Sequence, residues 1–242
     1  MNRMMRTGLM ACALAAWAMQ PVLAEEKEYT GAPDPKSYGY TVLAVGLATP
    51  LALPWGFDWD VFGFDVNLAY GDCNKMYGFE VAGLANTARL DMYGIQAALG
   101  FNFANRDAMG AQAALVNLGN RTTYGLSADA VGVHREFLGL SADGLCGLFD
   151  DAFYGLELAG LGSAVKEDMW GVQVALGANF ARRVHGLQTA LCFNMTEELR
   201  GAQIGLVNYA STCSAGFQLG LVNLIMDNQI PVLPIFNCYF FH

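Results

Sequence analysis

The chain has 242 residues, 54% apolar and only 14% charged, against about 25% charged in ordinary domains. That balance argues against an intrinsically disordered chain, and 28 glycines argue against a helical bundle. Acidic residues outnumber basic ones by 22 to 13, for a net charge of −9. A nucleic-acid partner is therefore not expected, since phosphate binding needs clustered cations.

Residues 1–24 read as a signal peptide. Arg3 and Arg6 precede an uncharged apolar run from Thr7 to Met19, and Val22-Leu23-Ala24 supplies a small-residue cleavage site. The run is shorter than the ~20 residues of a spanning helix. Cleavage would start the mature chain at Glu25. Removing Arg3 and Arg6 would leave 11 basic against 22 acidic residues, a net charge of −11. Residues 25–38 form a linker and 39–242 a β-repeat domain. Beyond Cys12 stand Cys73, Cys146, Cys192, Cys213 and Cys238, without metal-ligand spacing. They read mostly as small buried apolar residues, although an oxidising compartment would permit one or two disulfides.

The repeat domain is organised by glycines at 63, 78, 94, 110, 125, 139, 155, 171, 186, 201 and 216, spaced by 14 to 16 residues. A longer echo pairs 78–118 with 155–194 at an offset of about 77. In most units a large residue precedes the glycine. An apolar residue, Gln or Glu, another apolar residue and a small residue follow, and a polar cluster closes the unit. In the unit at Gly171, period-2 alternation puts Trp170, Val172, Val174 and Leu176 on one face and Gly171, Gln173, Ala175 and Gly177 on the other.

Each unit thus offers about eleven strand-like and four turn-like residues. The fold class is all-β. Two architectures accept such a unit: an antiparallel meander, with one strand per repeat, and a β-solenoid, with one coil per repeat. Four turn residues suit hairpin loops. The first expectation is therefore a meander of about 12–14 strands, opened near Tyr40–Thr49 and closed near Val232–Phe241, with its edges removed by closure into a barrel. Strands of this length with aromatic starts fit an outer-membrane barrel. The small, largely apolar inner face and uniformly short turns fit it less well, and the solenoid is the alternative.

The units Gly201–Asn208 (G-A-Q-I-G-L-V-N) and Gly216–Asn223 (G-F-Q-L-G-L-V-N) resemble the reiterated G-x-Q-x-G-L-V-N motif of bacterial surface-repeat proteins. The segments Val61–Gly71 and Pro231–Asn237 are similar to the ends of such arrays. The resemblance implies a surface or envelope location and brings no activity with it. Units at Gly125 and Gly139 carry Ser in place of Gln.

No catalytic motif is present, and neither a cofactor nor a metal is expected. His134, His185 and His242 are isolated, the first two beside turns where solvation is expected. The pairs Asp150-Asp151 and Glu197-Glu198 read as solvated turn charges. The one recurring polar feature is a mid-strand column: Asp65, Glu80, Gln96, Gln112, Glu157, Gln173, Gln188, Gln203 and Gln218. It would line a lumen or, as a fold requirement, bond across strands inside the protein. The expectation is a non-enzymatic exported envelope protein. In the leading form it is an outer-membrane barrel with a structural or passive transport role and the membrane as its partner. In the alternative it is a soluble exported repeat module that binds through its repeat face or loops.

Overall fold

A computed structural model describes residues 39–49, 51–55 and 59–239. The predicted signal peptide, the whole predicted linker and His242 lie outside the described residues. The first strands are β1 (Gly39–Ala48), β2 (Leu51–Leu53), β3 (Trp59–Cys73), β4 (Lys75–Ala82), β5 (Ala85–Ala88), β6 (Met92–Ala98), β7 (Phe101–Ala104) and β8 (Ala108–Ala113). They continue as β9 (Val116–Ala159), β10 (Gly162–Ala175), β11 (Ala178–Ala190), β12 (Phe193–Ile204), β13 (Val207–Ile225) and β14 (Val232–Cys238). No helix occurs among the described residues.

Register identifies the architecture. β10 runs parallel to β11, pairing Gly171 with Gly186 and Gln173 with Gln188. β11 pairs with β12 and β12 with β13 in the same sense, so that Gly186, Gly201 and Gly216 follow in one column. Equivalent residues of successive repeats are therefore stacked neighbours, and the chain is a β-solenoid of about eleven coils. The antiparallel meander and its closure into a barrel are corrected accordingly, because hairpin neighbours would run antiparallel.

The error lies in reading eleven extended residues as one straight strand. Each coil holds two strands. A long one such as Met92–Ala98 carries the glycine and Gln, and a short one such as Phe101–Ala104 carries an Asn. Between them the chain bends at Leu99-Gly100, and at Asn105 to Asp107 it bends again into the next coil. The first bend holds no Pro, Asn or Asp; Gly100 is its one turn residue, beside an exposed leucine that reads as further strand.

The marker glycines are required by the stack. From Gly63 to Gly201 their φ angles lie between 126 and 145°, a region that side chains oppose. A Cβ on Gly171 would collide with the carbonyl oxygen of Gly155 one coil earlier.

Inside, each coil has two zones. Toward the polar bend lies an apolar strip, including Phe137, Phe149, Phe153, Met169, Val184 and Leu199. Toward the leucine bend lie the Gln and Asn columns. The two ends are finished by antiparallel strands, β2 on β1 and β14 on β13. Asn237 of β14 is wholly buried and accepts a hydrogen bond from Asn228 Nδ2 at 3.1 Å.

Candidate functional site

All nine residues of the predicted polar column point into the solenoid and are buried. There they form hydrogen-bonded ladders. Gln188 Nε2 donates to Gln173 Oε1 at 2.9 Å, Gln203 to Gln188 at 2.9 Å, and Gln218 to Gln203 at 2.7 Å. The earlier half repeats this, with Gln112 donating to Gln96 at 2.9 Å. Each ladder stands on a glutamate: Gln96 Nε2 donates to Glu80 Oε2 at 2.8 Å and Gln173 Nε2 to Glu157 Oε2 at 3.2 Å. Every Gln donates toward the N-terminal end, so the first rung need only accept, which a carboxyl oxygen does whether or not the group carries a proton.

A second ladder, absent from the predicted column, is made of asparagines and runs the other way. Asn179 Nδ2 donates to Asn194 Oδ1, Asn194 to Asn208 and Asn208 to Asn223. The same amides reach across the interior to long-strand carbonyls, as from Asn194 Nδ2 to Ile204 O at 2.8 Å. The opposed polarity lets the dipoles of the two ladders offset each other.

Both ladders break in the middle coils, where Ser127 and Ser141 replace Gln and Gly132 and Gly147 replace Asn. The vacated space holds Asp129 and Asp143, hydrogen-bonded to each other and close to Glu157. A Cβ at Gly147 would meet Asp143 Oδ2 at 2.6 Å, so glycine there makes room for the carboxylates. Burial, then contact with Asp129 and repulsion from Glu157, pushes Asp143 up to about 10; burial raises Glu157 to about 7. These groups hold protons in the folded chain that the unfolded chain releases near its ordinary carboxylate range, so their stabilising effect is complete below that range. It fades as pH rises, between about 4.5 and 7 for Glu157 and over a longer span for Asp143. Thermal melts should therefore show Tm falling from mildly acidic to alkaline buffer, and Asp143→Asn should flatten that slope. A Tm independent of pH in the parent chain would contradict the assignment.

At the N-terminal end, Asp65 and Glu80 face Cys73, and all three are buried. Burial raises Asp65 to about 6 and Glu80 to about 8, and drives the Cys73 thiol well upward. Neither Cys73 nor the Asp129–Asp143 pair is legible in the sequence, because closure of the coil creates their proximity. None of the five cysteines from Cys73 onward is joined in a disulfide. His134, expected to be solvated, is 1% exposed; it stacks near Phe149 and bonds Thr123 Oγ1 at 3.1 Å. Burial lowers it to about 3, so it stays neutral. His185 lies instead on the outer face, stacked on Trp170 with ring centroids 4.0 Å apart.

The outer surface reverses the interior pattern. At the leucine bend ten of eleven coils present a leucine, from Leu68 to Leu221, with Ala130 the exception, and each leucine is 48 to 74% exposed. Coil-to-coil bonds such as Leu206 N to Leu191 O and Val222 N to Leu206 O satisfy the backbone along this ridge. At about 4.8 Å per coil the ridge runs for about 48 Å. The flanking broad faces are apolar as well, with exposed Phe64, Phe79, Leu126, Leu158 and Phe217 on one and Phe101 on the other. Charge is concentrated at the opposite edge, where Arg106–Asp91, Arg135–Asp151, Arg182–Glu167 and Arg183–Asp168 pair between coils, with Arg200 on the broad face beside His185. The exposed pairs among these, such as Arg135–Asp151 and Arg182–Glu167, are worth at most about 1 kcal/mol each.

Comparison with protein-family models, with curated proteins and with solved structures returned no match.

Proposed function

We propose that this chain is a non-enzymatic, exported β-solenoid of the cell envelope that binds a lipid surface along its leucine ridge. The observation supporting this reading is the continuous apolar edge, flanked by apolar faces and set opposite the charged edge. Contiguous exposed apolar surface of this extent marks an interaction site. Lipid suits it because the ridge is convex, so a protein partner would have to wrap two faces at once. A β-backbone can enter an apolar medium only when its polar groups are bonded internally, and the coil-to-coil ladder supplies those bonds. The interior ladders leave no passage for a solute, so a transport role has no support.

Flotation of the purified chain with vesicles of phosphatidylethanolamine and phosphatidylglycerol tests the reading. The parent chain should float with the vesicles. A triple variant, Leu161→Asp, Leu176→Asp and Leu191→Asp, should remain at the bottom with an unchanged β-sheet spectrum. A fully buried leucine contributes about 1.5–3 kcal/mol, so loss of three should weaken binding by at least about 100-fold. A parent chain that stays at the bottom, whether as a monomer or as a dimer by light scattering, would refute lipid binding.

A further inference from the structure

The first coils contain an arrangement that the stacking of coils does not require. One oxygen of Asp65, one of Glu80 and the Cys73 sulfur lie within 4.8 Å of one another. The three residues are 2, 0 and 1% exposed. The internal duplication supplies a comparison. About 76–77 residues further on, the same columns hold Ser141, Phe149 and Glu157. A ring fills the place of the thiol and a hydroxyl that of one carboxylate, and the coil still closes. Only the glutamate is common to both halves, as the foot of its Gln ladder.

Several buried oxygens in these coils lack a hydrogen-bond partner. Glu80 spends Oε2 on Gln96, and its Oε1 has no hydrogen-bond partner. That oxygen is turned across the interior toward Gly71, two residues before Cys73, where a Cβ would meet it at 3.0 Å. Asn67 and Asn86 are 4 and 0% exposed, and the Oδ1 of each is likewise without a partner. Their orientation is fixed by their amide nitrogens: Asn67 Nδ2 donates to Asp65 Oδ1 at 2.6 Å and Asn86 Nδ2 to Asn102 Oδ1 at 3.0 Å. Three buried oxygens without a hydrogen-bond partner therefore lie in these first coils: Glu80 Oε1 and Asn86 Oδ1 converge on Gly71, and Asn67 Oδ1 is carried by the amide bonded to Asp65. A cavity of about 10 Å³ touches both Asp65 and Cys73, about the room of a single water-sized sphere. The nearby Asp72 is already engaged by Arg89 Nη2 at 2.8 Å.

We propose that Asp65, Cys73 and Glu80 bind one divalent transition-metal ion, with zinc the best fit. A thiolate with two carboxylate oxygens is a borderline donor set that suits zinc better than magnesium or calcium. Tetrahedral zinc with these donors needs them about 3.6 Å apart, so small side-chain rotations bring them into place. A water or Asn67 Oδ1 would complete four ligands. Binding releases the thiol proton, and any proton on the carboxylates, to solvent. The ion satisfies Glu80 Oε1, and Asn67 Oδ1 where that is the fourth ligand, and ties β3 to β4 at the start of the stack. This site is independent of the leucine ridge, and either can fail alone.

The test uses the purified chain, stripped with a chelator under reducing conditions. Zinc is added back and bound metal is counted after gel filtration; cobalt serves as the spectroscopic probe. One zinc per chain, a raised Tm and a thiolate-to-cobalt charge-transfer band are expected. Cys73→Ser should abolish the band although the four other cysteines of the repeat domain remain, and should weaken zinc binding by at least about tenfold. Glu80→Gln adds an amide rung in place of a carboxylate, so it keeps the coil, and it should lose metal to a similar degree. A parent chain that retains no zinc and shows no thiolate band would overturn the proposal. So would a folded Cys73→Ser or Glu80→Gln chain that binds zinc like the parent.

Discussion

Gly171→Val should be among the most damaging single changes in the protein. The φ at this position is 126°, and a non-glycine residue held in such a region costs about 1–3 kcal/mol. The new side chain must also displace the carbonyl of Gly155, and forced overpacking adds about 1–3 kcal/mol. The total is a large share of a typical stability of about 5–15 kcal/mol. In a solenoid each coil is held by its neighbours, so the defect should divide the stack and give a broadened or two-step urea transition. Gly144→Ala is the comparison. Its Cβ would meet nothing nearer than 3.4 Å, and the change should stay within about 0.5 kcal/mol. Equal effects at the two positions would show that the column does not need glycine.

The second large effect expected is from Gln188→Leu. This substitution makes the interior more apolar, yet it should destabilise. Gln173 Oε1 loses its donor and Gln203 Nε2 loses an acceptor. Each buried polar group left without a partner costs about 1–3 kcal/mol, although Gln203 keeps a bond to Tyr209 O at 3.3 Å. A loss of about 2–4 kcal/mol in chemical denaturation is expected. Leu191→Ser, a polar change at the exposed ridge, should alter stability by less than about 0.5 kcal/mol. If instead Leu191→Ser cost more than Gln188→Leu, the assignment of inside and outside would be wrong.

Much of this arrangement was legible in the sequence. Glycine spacing located the coils, and alternation put Gln173 and Trp170 on opposite faces, as the structure has them. Direction was not legible. A period-2 pattern is the same whether the next repeat returns antiparallel or continues parallel. The deciding feature is the bend at residues such as Leu99 and Leu176, whose side chains are exposed and apolar and so look like further strand. The Gln column was found because it recurs at fixed spacing in nearly every unit. Cys73 and the Asp129–Asp143 pair stand where the pattern lapses, so repetition could not flag them. The Asn ladder recurs too, but its residues lie past the bend, where their inward direction depends on a second strand that alternation alone does not reveal.

The antiparallel strands at the two ends have a consequence beyond tidiness. Every coil between them presents the same register to the coil above and below, so an uncovered last coil would accept the first coil of another molecule as readily as its own next repeat. Growth by that route adds subunits head to tail and has no natural limit. β14 reverses direction and carries Pro234, with Pro231 just before it, and a proline has no N–H to offer a further strand; β2 reverses direction at the other end. These strands work against that growth: over the residues they cover, each puts an antiparallel neighbour where a further coil would have to stack.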